Sequence, residues 1–325
     1  MTTNRRWIIS RLIRSLALLI GATFIIYATL RSAPGDMVDL ALGLNGTDEM
    51  KAALRAEFGL DQSLIFGYCN WLFNAIQGDL GSSISFAPGS TVTEIAIPAF
   101  CVTIGLTSFA LISALTISYI IAYFLGKPSS KQSLFLGPLA CFNAAPSFVL
   151  SICFAKLINE LIHYQLSSGG QIAPSWYPIP TYQSFGESFV PFLLATFAIM
   201  MGDGLFTDLL NALRSELNQL QNAQFMNAVR AKGASTTPHL IKNLIVPTLS
   251  IFTARLPLVL SAVIIVEYIF TLDGSGYLLL EAAKSRDVPV VVGVSLFFIV
   301  SVIIVNLALD LIKAQIDPRE GAYSE

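Results

Sequence analysis

Six long apolar runs govern what this chain can fold into, because about 20 helical residues are needed to cross a hydrocarbon core roughly 30 Å thick. They lie approximately at 8–30, 99–125, 134–158, 189–210, 244–270 and 288–312. With 54% hydrophobic and 12% charged residues among 325, the remainder cannot supply the surface of a water-soluble protein. In lipid every backbone polar group has to be satisfied within its own segment, so runs of this length read as helices. The expectation is an all-α integral membrane protein with six transmembrane helices. The first run carries Arg11 and Arg14, follows Arg5 and Arg6, and has no small-residue cleavage site after a short apolar stretch. It reads as a retained span, not a removed signal.

Lysine and arginine set the orientation. With six spans, the N-terminus, the loop with Lys127 and Lys131, the stretch with Arg214, Arg230, Lys232 and Lys242, and the tail with Lys313 and Arg319 share one side. That side is expected to be the cytoplasm, with both termini in it. The connection 31–98 carries Asp36, Asp39, Asp48, Glu49, Glu57, Asp61, Asp79 and Glu94 against Arg31, Lys51 and Arg55, and falls outside. Helix-like periodicity at 47–58 and 62–77, with Leu64, Ile65, Tyr68, Trp71, Leu72 and Ile76 as an apolar stripe, predicts an external helical cap. Two readings of the stripe stay open: a docking surface or vestibule wall, or a face that rests on the spans or the lipid interface. The chain thus divides into 1–30, a tail and first span; 31–98, an extracytoplasmic helical segment; and 99–325, a core with five spans.

Between the fourth and fifth runs, residues 225–249 are polar and helix-prone. Gly233 stands as a glycine just past a helix does, and Thr237-Pro238 as an N-cap and first helical residue, which predicts a shaped helix-turn-helix. Small side chains at Ala228, Ala231, Gly233 and Ala234 let a partner approach the backbone, while Arg230 and Lys232 put charge at the rim. The plainer alternative is a membrane boundary with basic residues at the headgroups.

Several short motifs follow one another in order: Arg-Ser-Ala-Pro-Gly-Asp at 31–36, Phe-Gly-Leu-Asp at 58–61, Gly-Asp-Leu-Gly at 78–81, Ala-Pro-Ser-Phe at 145–148, Val-Arg-Ala-Lys-Gly at 229–233, and Asn306-Leu307 with Asp317-Pro318-Arg319. Together, over nearly the whole chain, they resemble the first permease subunit of the dipeptide, oligopeptide and nickel ABC importers. The resemblance implies a type I importer permease fold in the bacterial cytoplasmic (inner) membrane. It also implies that 225–237 is the coupling helix that lies in a groove of an ATP-hydrolysing subunit. Asn227, Ala228 and Val229 stand at the first three places of the family's Glu-Ala-Ala-x-x-x-Gly pattern, Arg230, Ala231 and Lys232 follow, and Gly233 closes it; Asn227 replaces the acidic residue. A homologous second permease, two ATPases that bind ATP and Mg, and an extracytoplasmic solute-binding protein are the implied partners, within membrane lipid and with no nucleic acid. The stretch 268–276 is similar to the family's Phe-Ser-x-Pro-Gly-x-Gly turn, with Asp273 in the place of proline and Gly274 and Gly276 after it.

The chain has no Gly-x-x-x-x-Gly-Lys-Ser/Thr phosphate loop, so no cofactor of its own is expected. Cys69, Cys101, Cys141 and Cys153 show no Cys-x-x-Cys spacing, which argues against a metal site or disulfide framework. His163 and His239 fall on opposite sides of the membrane, and neither His-Glu-x-x-His nor Gly-x-Ser-x-Gly occurs, so no catalytic site is expected. The rival to an ATP-driven permease is a secondary transporter or channel not coupled to ATPases, which would show repeated halves or helices broken at mid-depth. Neither is visible in the sequence. Within the spans, Arg255 and Asp203 fall at comparable depth. They form an ion pair, or Arg255 lines a pathway and meets a substrate carboxylate, or both reach headgroups. Glu267, near the outer end of the fifth span, joins them as a pathway candidate; Lys156 with Glu160 and Asn306 with Asp310 read as boundary pairs at helical spacing.

Overall fold

A computed structural model describes residues 2–32, 38, 47–57, 62–125, 145–167 and 185–316. Among these the regular structure is helical, apart from one isolated bridge between Ser82 and Thr91. The helices are α1 (Thr2–Ser32), α2 (Asp48–Glu57), α3 (Leu64–Ile76), α4 (Val92–Leu125), α5 (Ser147–Ser167), α6 (Phe185–Met201), α7 (Leu205–Asn222), α8 (Gln224–Ala231), α9 (Thr237–Ile269), α10 (Ser275–Lys284) and α11 (Val288–Ile316). Among the described residues five stretches are long and apolar enough to cross a membrane: Ser10–Ser32, Val92–Phe124, Phe189–Asn222, Thr237–Ile269 and Val288–Ile316. Of the expected third span, 134–158, only the part from 145 lies among the described residues, as the apolar start of α5. The motifs at 33–36, 58–61 and 317–319, together with Lys127, Lys131 and Cys141, also lie outside them.

By packing the chain falls into two compact units. One compact unit comprises residues 1–103 and 273–304, the other 104–272 and 305–325. In the first, Val290, Val291 and Val294 of α11 and Leu278 of α10 share a core with Leu80, Val92 and Ala96. Gly293 makes this possible, since a Cβ there would stand 2.6 Å from a Val92 methyl. Small residues are what allow membrane helices to approach this closely. A neighbouring cluster joins Tyr27 of α1 to Tyr68 of α3 and to Val288 and Val292.

In the second unit α7 buries Leu205, Leu209, Leu213 and Leu217, one residue every four, against a core that includes Leu240, Leu244, Leu256 and Val259 of α9. This is the apolar stripe of an amphipathic helix. Between α6 and α7 the helix is broken by a short 3-10 turn, Gly202–Gly204, in which Asp203 (φ 52°) and Gly204 (φ 75°) are left-handed. Glycine takes that conformation freely, and aspartate is among the few other residues that tolerate it. A Cβ on Gly202 would lie 2.4 Å from the Ser147 Cα, so the bare backbone is what lets α5 begin against the break.

Candidate coupling and intramembrane sites

α8 is a short amphipathic helix seated on α7, its Met226 fully buried in the core, with Val229 partly buried beside it. Its outer side presents Asn227, Ala228, Arg230 and Ala231, followed by Lys232 and Gly233, all exposed. The helix closes on Gly233 at φ +68°. The Gly233 N–H donates to the Arg230 carbonyl (2.9 Å) and the Ala234 N–H to the Val229 carbonyl (3.2 Å), the paired bonds of a Schellman ending. A Cβ at Gly233 would meet nothing within 4 Å. The next helix starts one residue earlier than expected: Thr236 is the cap position, Thr237 is already helical, and no side-chain cap bond forms. Thr236 still closes the first turn through its carbonyl, which accepts from the Leu240 N–H (3.0 Å). From Glu216 to Glu267 the chain carries no carboxylate, while Arg230, Lys232 and Lys242 are exposed, so the surface around α8 is positive.

The intramembrane charges are arranged differently from the expected Arg255–Asp203 pair. The Arg255 guanidinium donates to the carboxylate of Asp208, across the α7–α9 contact. Asp203 is turned away by its left-handed backbone. Its carboxylate accepts from the Ser147 N–H (3.2 Å) and its own N–H donates to the Ala145 carbonyl (3.2 Å), so it clasps the Ala-Pro-Ser turn that opens α5. Arg255 and Asp203 nevertheless line one crevice of about 10 Å³ with Leu205, Leu258 and Ala262. That is about the room of one water molecule. Glu267 is fully buried near the end of α9. Asp310 pairs with Lys313 at 3.5 Å, and the buried Asn306 side-chain oxygen accepts no hydrogen bond among the described residues. The side chain of Glu160 lies outside the described residues.

At the far end of α9 the turn runs through Thr271, left-handed at φ 49°, and the Leu272 N–H returns to the Glu267 carbonyl (2.9 Å). Asp273 is exposed; Gly274 is the extended cap position of α10, and Gly276 is buried in its first turn. The Ser275 N–H donates to the Thr103 hydroxyl (2.8 Å), which ties the start of α10 to α4.

Residues 114–321 match the model of the binding-protein-dependent transport system inner membrane component, and residues 4–107 match the model of the N-terminal part of such membrane components. The chain belongs to this family. It is a permease subunit of an ABC importer, a multi-pass protein of the inner membrane whose ATP hydrolysis belongs to partner subunits, and whose family works with ATPases and substrate-binding proteins. Relatives align over almost their full lengths. A Brucella suis protein assigned provisionally to the peptide permeases is 29% identical over 97% of this chain and 98% of its own. The oligopeptide transport system permease AppB of Bacillus subtilis is 26% identical over 96% and 98%. The glutathione transport system permease GsiC of Escherichia coli K12 is 25% identical over 96% and 97%. Membership in the family decides against the uncoupled transporter, although the broken helix at Gly202–Gly204 is the kind of feature that reading asked for.

Two residues escape a reading of the sequence. Asp208 sits in an amphipathic stretch of α7 among other polar residues, where nothing marks it as the partner of a charge 47 positions away. Asp287 is fully buried in the first unit, where its carboxylate accepts from the Ser83 hydroxyl (2.6 Å) and from the N–H groups of Ile84 (2.9 Å), Ser85 (3.0 Å) and Phe86 (3.0 Å). Its second oxygen accepts from the Val290 N–H (3.3 Å) at the start of α11. Asp followed two residues later by Pro289 is a helix-start signal that marks the cap. Nothing local marks the loop 83–86 that wraps around it.

Proposed function

We propose that α8 and its Gly233 ending are the coupling element of this permease, docked in a groove of an ATPase subunit. The observation that carries this is the knob itself, a short helix anchored by Met226 whose exposed side is small and basic. Arg230 and Lys232 favour a groove with carboxylates at its rim, since complementary charge fixes register at such contacts. Asn227, which holds no charge, contributes none of this. A second, homologous permease completes the pore, and two ATPases carry the ATP and Mg. Six spans with both termini in the cytoplasm place α8 on the ATPase side. Peptides or small peptide-like solutes are the cargo this reading favours, on the names of the relatives.

Gly233→Gln tests the coupling. A side chain there projects into empty space on the exposed side and props a docked partner away, while Gly233→Ala adds only the backbone cost of a left-handed alanine, roughly 1–2 kcal/mol. In the assembled transporter in vesicles, Gly233→Gln is expected to leave membrane insertion intact, abolish uptake and make ATPase activity insensitive to the binding protein, with Gly233→Ala closer to wild type. Normal binding-protein-stimulated ATPase activity in Gly233→Gln would overturn the assignment.

A further inference from the structure

We propose that α3 is embedded in the membrane, in the half where α1 ends, and that its exposed apolar face meets lipid acyl chains instead of walling a water-filled vestibule. α3 has three distinct sides. Gly67, Tyr68 and Trp71 face α1, and the polar residues Asn70 and Asn74 form a narrow second side. The third side is Ile65, Phe66, Cys69, Phe73 and Ile76, which recur at i, i+1, i+4, i+8 and i+11. They stand open to the surroundings: Ile65 is 68% exposed, Phe66 64%, Phe73 64% and Ile76 79%. None of the 13 residues of α3 is charged.

The depth of α3 comes from a separate observation. The Tyr68 hydroxyl donates to the Ile20 carbonyl (2.9 Å) and lies 2.8 Å from the Thr23 hydroxyl. Ile20 and Thr23 fall in the middle third of the span Ser10–Ser32. A helix whose tyrosine reaches the middle of a span cannot stand clear of the bilayer on a cap. The close approach has its own signature, since a Cβ on Gly67 would lie 2.6 Å from the Tyr27 hydroxyl oxygen and closer still to Arg31. The Arg31 guanidinium donates to the Gln62 carbonyl (2.9 Å) and so holds the chain where it enters α3.

Lipid is the occupant the composition selects. Helix contacts within membranes favour small residues, and in α3 the small residue Gly67 is on the α1 side. The open face is large and aliphatic or aromatic, as a lipid-facing surface is, and no residue of α3 brings a charge to it. It is continuous in character with α1, whose Leu16, Leu18 and Ile25 are exposed in the same way.

Nitroxide accessibility in the assembled transporter, reconstituted in phosphatidylcholine and phosphatidylglycerol vesicles, tests this. Single labels at Phe73→Cys and Asn70→Cys are compared after replacement of the native cysteines, and Cys69, on the same face as Phe73, is a label site that needs no new substitution. Positions 73 and 69 are expected to collide with oxygen, which concentrates among acyl chains, and to be shielded from a water-soluble nickel chelate. Position 70 should show a severalfold lower oxygen-to-nickel ratio. Access of the nickel chelate to 69 and 73 would make the face a water-filled wall, and exclusion of both reagents would make it a protein interface; either result overturns the proposal.

Discussion

At position 287 one buried carboxylate answers a hydroxyl and four backbone N–H groups, and it holds the loop 83–86 against the start of α11. Backbone N–H groups converging on an oxygen form an anion nest, here filled from within the chain. Asp287→Ala therefore leaves several buried donors without an acceptor, at about 1–3 kcal/mol each before any water enters. We expect a loss of at least about 3 kcal/mol, read as a lowered melting temperature of the purified transporter, with Asp287→Asn intermediate because it keeps one acceptor oxygen. A wild-type melting curve for Asp287→Ala would show that the loop has other means of support.

Among the elements, α8 is carried on α7, and Asp208–Arg255 joins α7 to α9 within the length of the leucine stripe. Both side chains keep some exposure, 27% for Arg255 and 37% for Asp208, so the pair is only partly withdrawn from its surroundings. Removing one partner leaves an unmatched charge, whereas removing both leaves none. Arg255→Ala should then melt at a lower temperature than Arg255→Ala combined with Asp208→Ala, with a coupling of about 1 kcal/mol in the double-mutant cycle. The same cycle run with Asp203→Ala should be additive, since Asp203 is engaged with Ser147. Coupling to Asp203 and none to Asp208 would contradict the pairing. A substrate role for Arg255 would show instead as unchanged melting with reduced uptake of anionic solutes.

For the whole molecule, the proposed orientation places α2 outside and the turn after α8 inside. With the native cysteines replaced, Ala52→Cys in exposed α2 should react with an impermeant maleimide added to intact cells, and Ala234→Cys should react only after the membrane is opened. Labelling of Ala234→Cys from outside would reverse the topology and, with it, the coupling proposal. The sequence by itself determined what is repetitive or local: long apolar runs announce membrane helices because the bilayer demands length and hydropathy alone. Gly233 announces a helix end because only a left-handed residue closes one in that way. The ordered motifs, through resemblance, announced the permease. Tertiary structure alone decided what depends on residues distant in the chain. The spans could not reveal that Gly202–Gly204 breaks a helix, that Asp203 turns to Ser147 and leaves Arg255 to Asp208, or that loop 83–86 closes on Asp287. The periodicity of α3 showed an apolar stripe and was silent on depth, because a stripe records which residues avoid water but not what replaces it. The level of α3 along α1 was decided by the hydrogen bond from Tyr68 to the middle of α1.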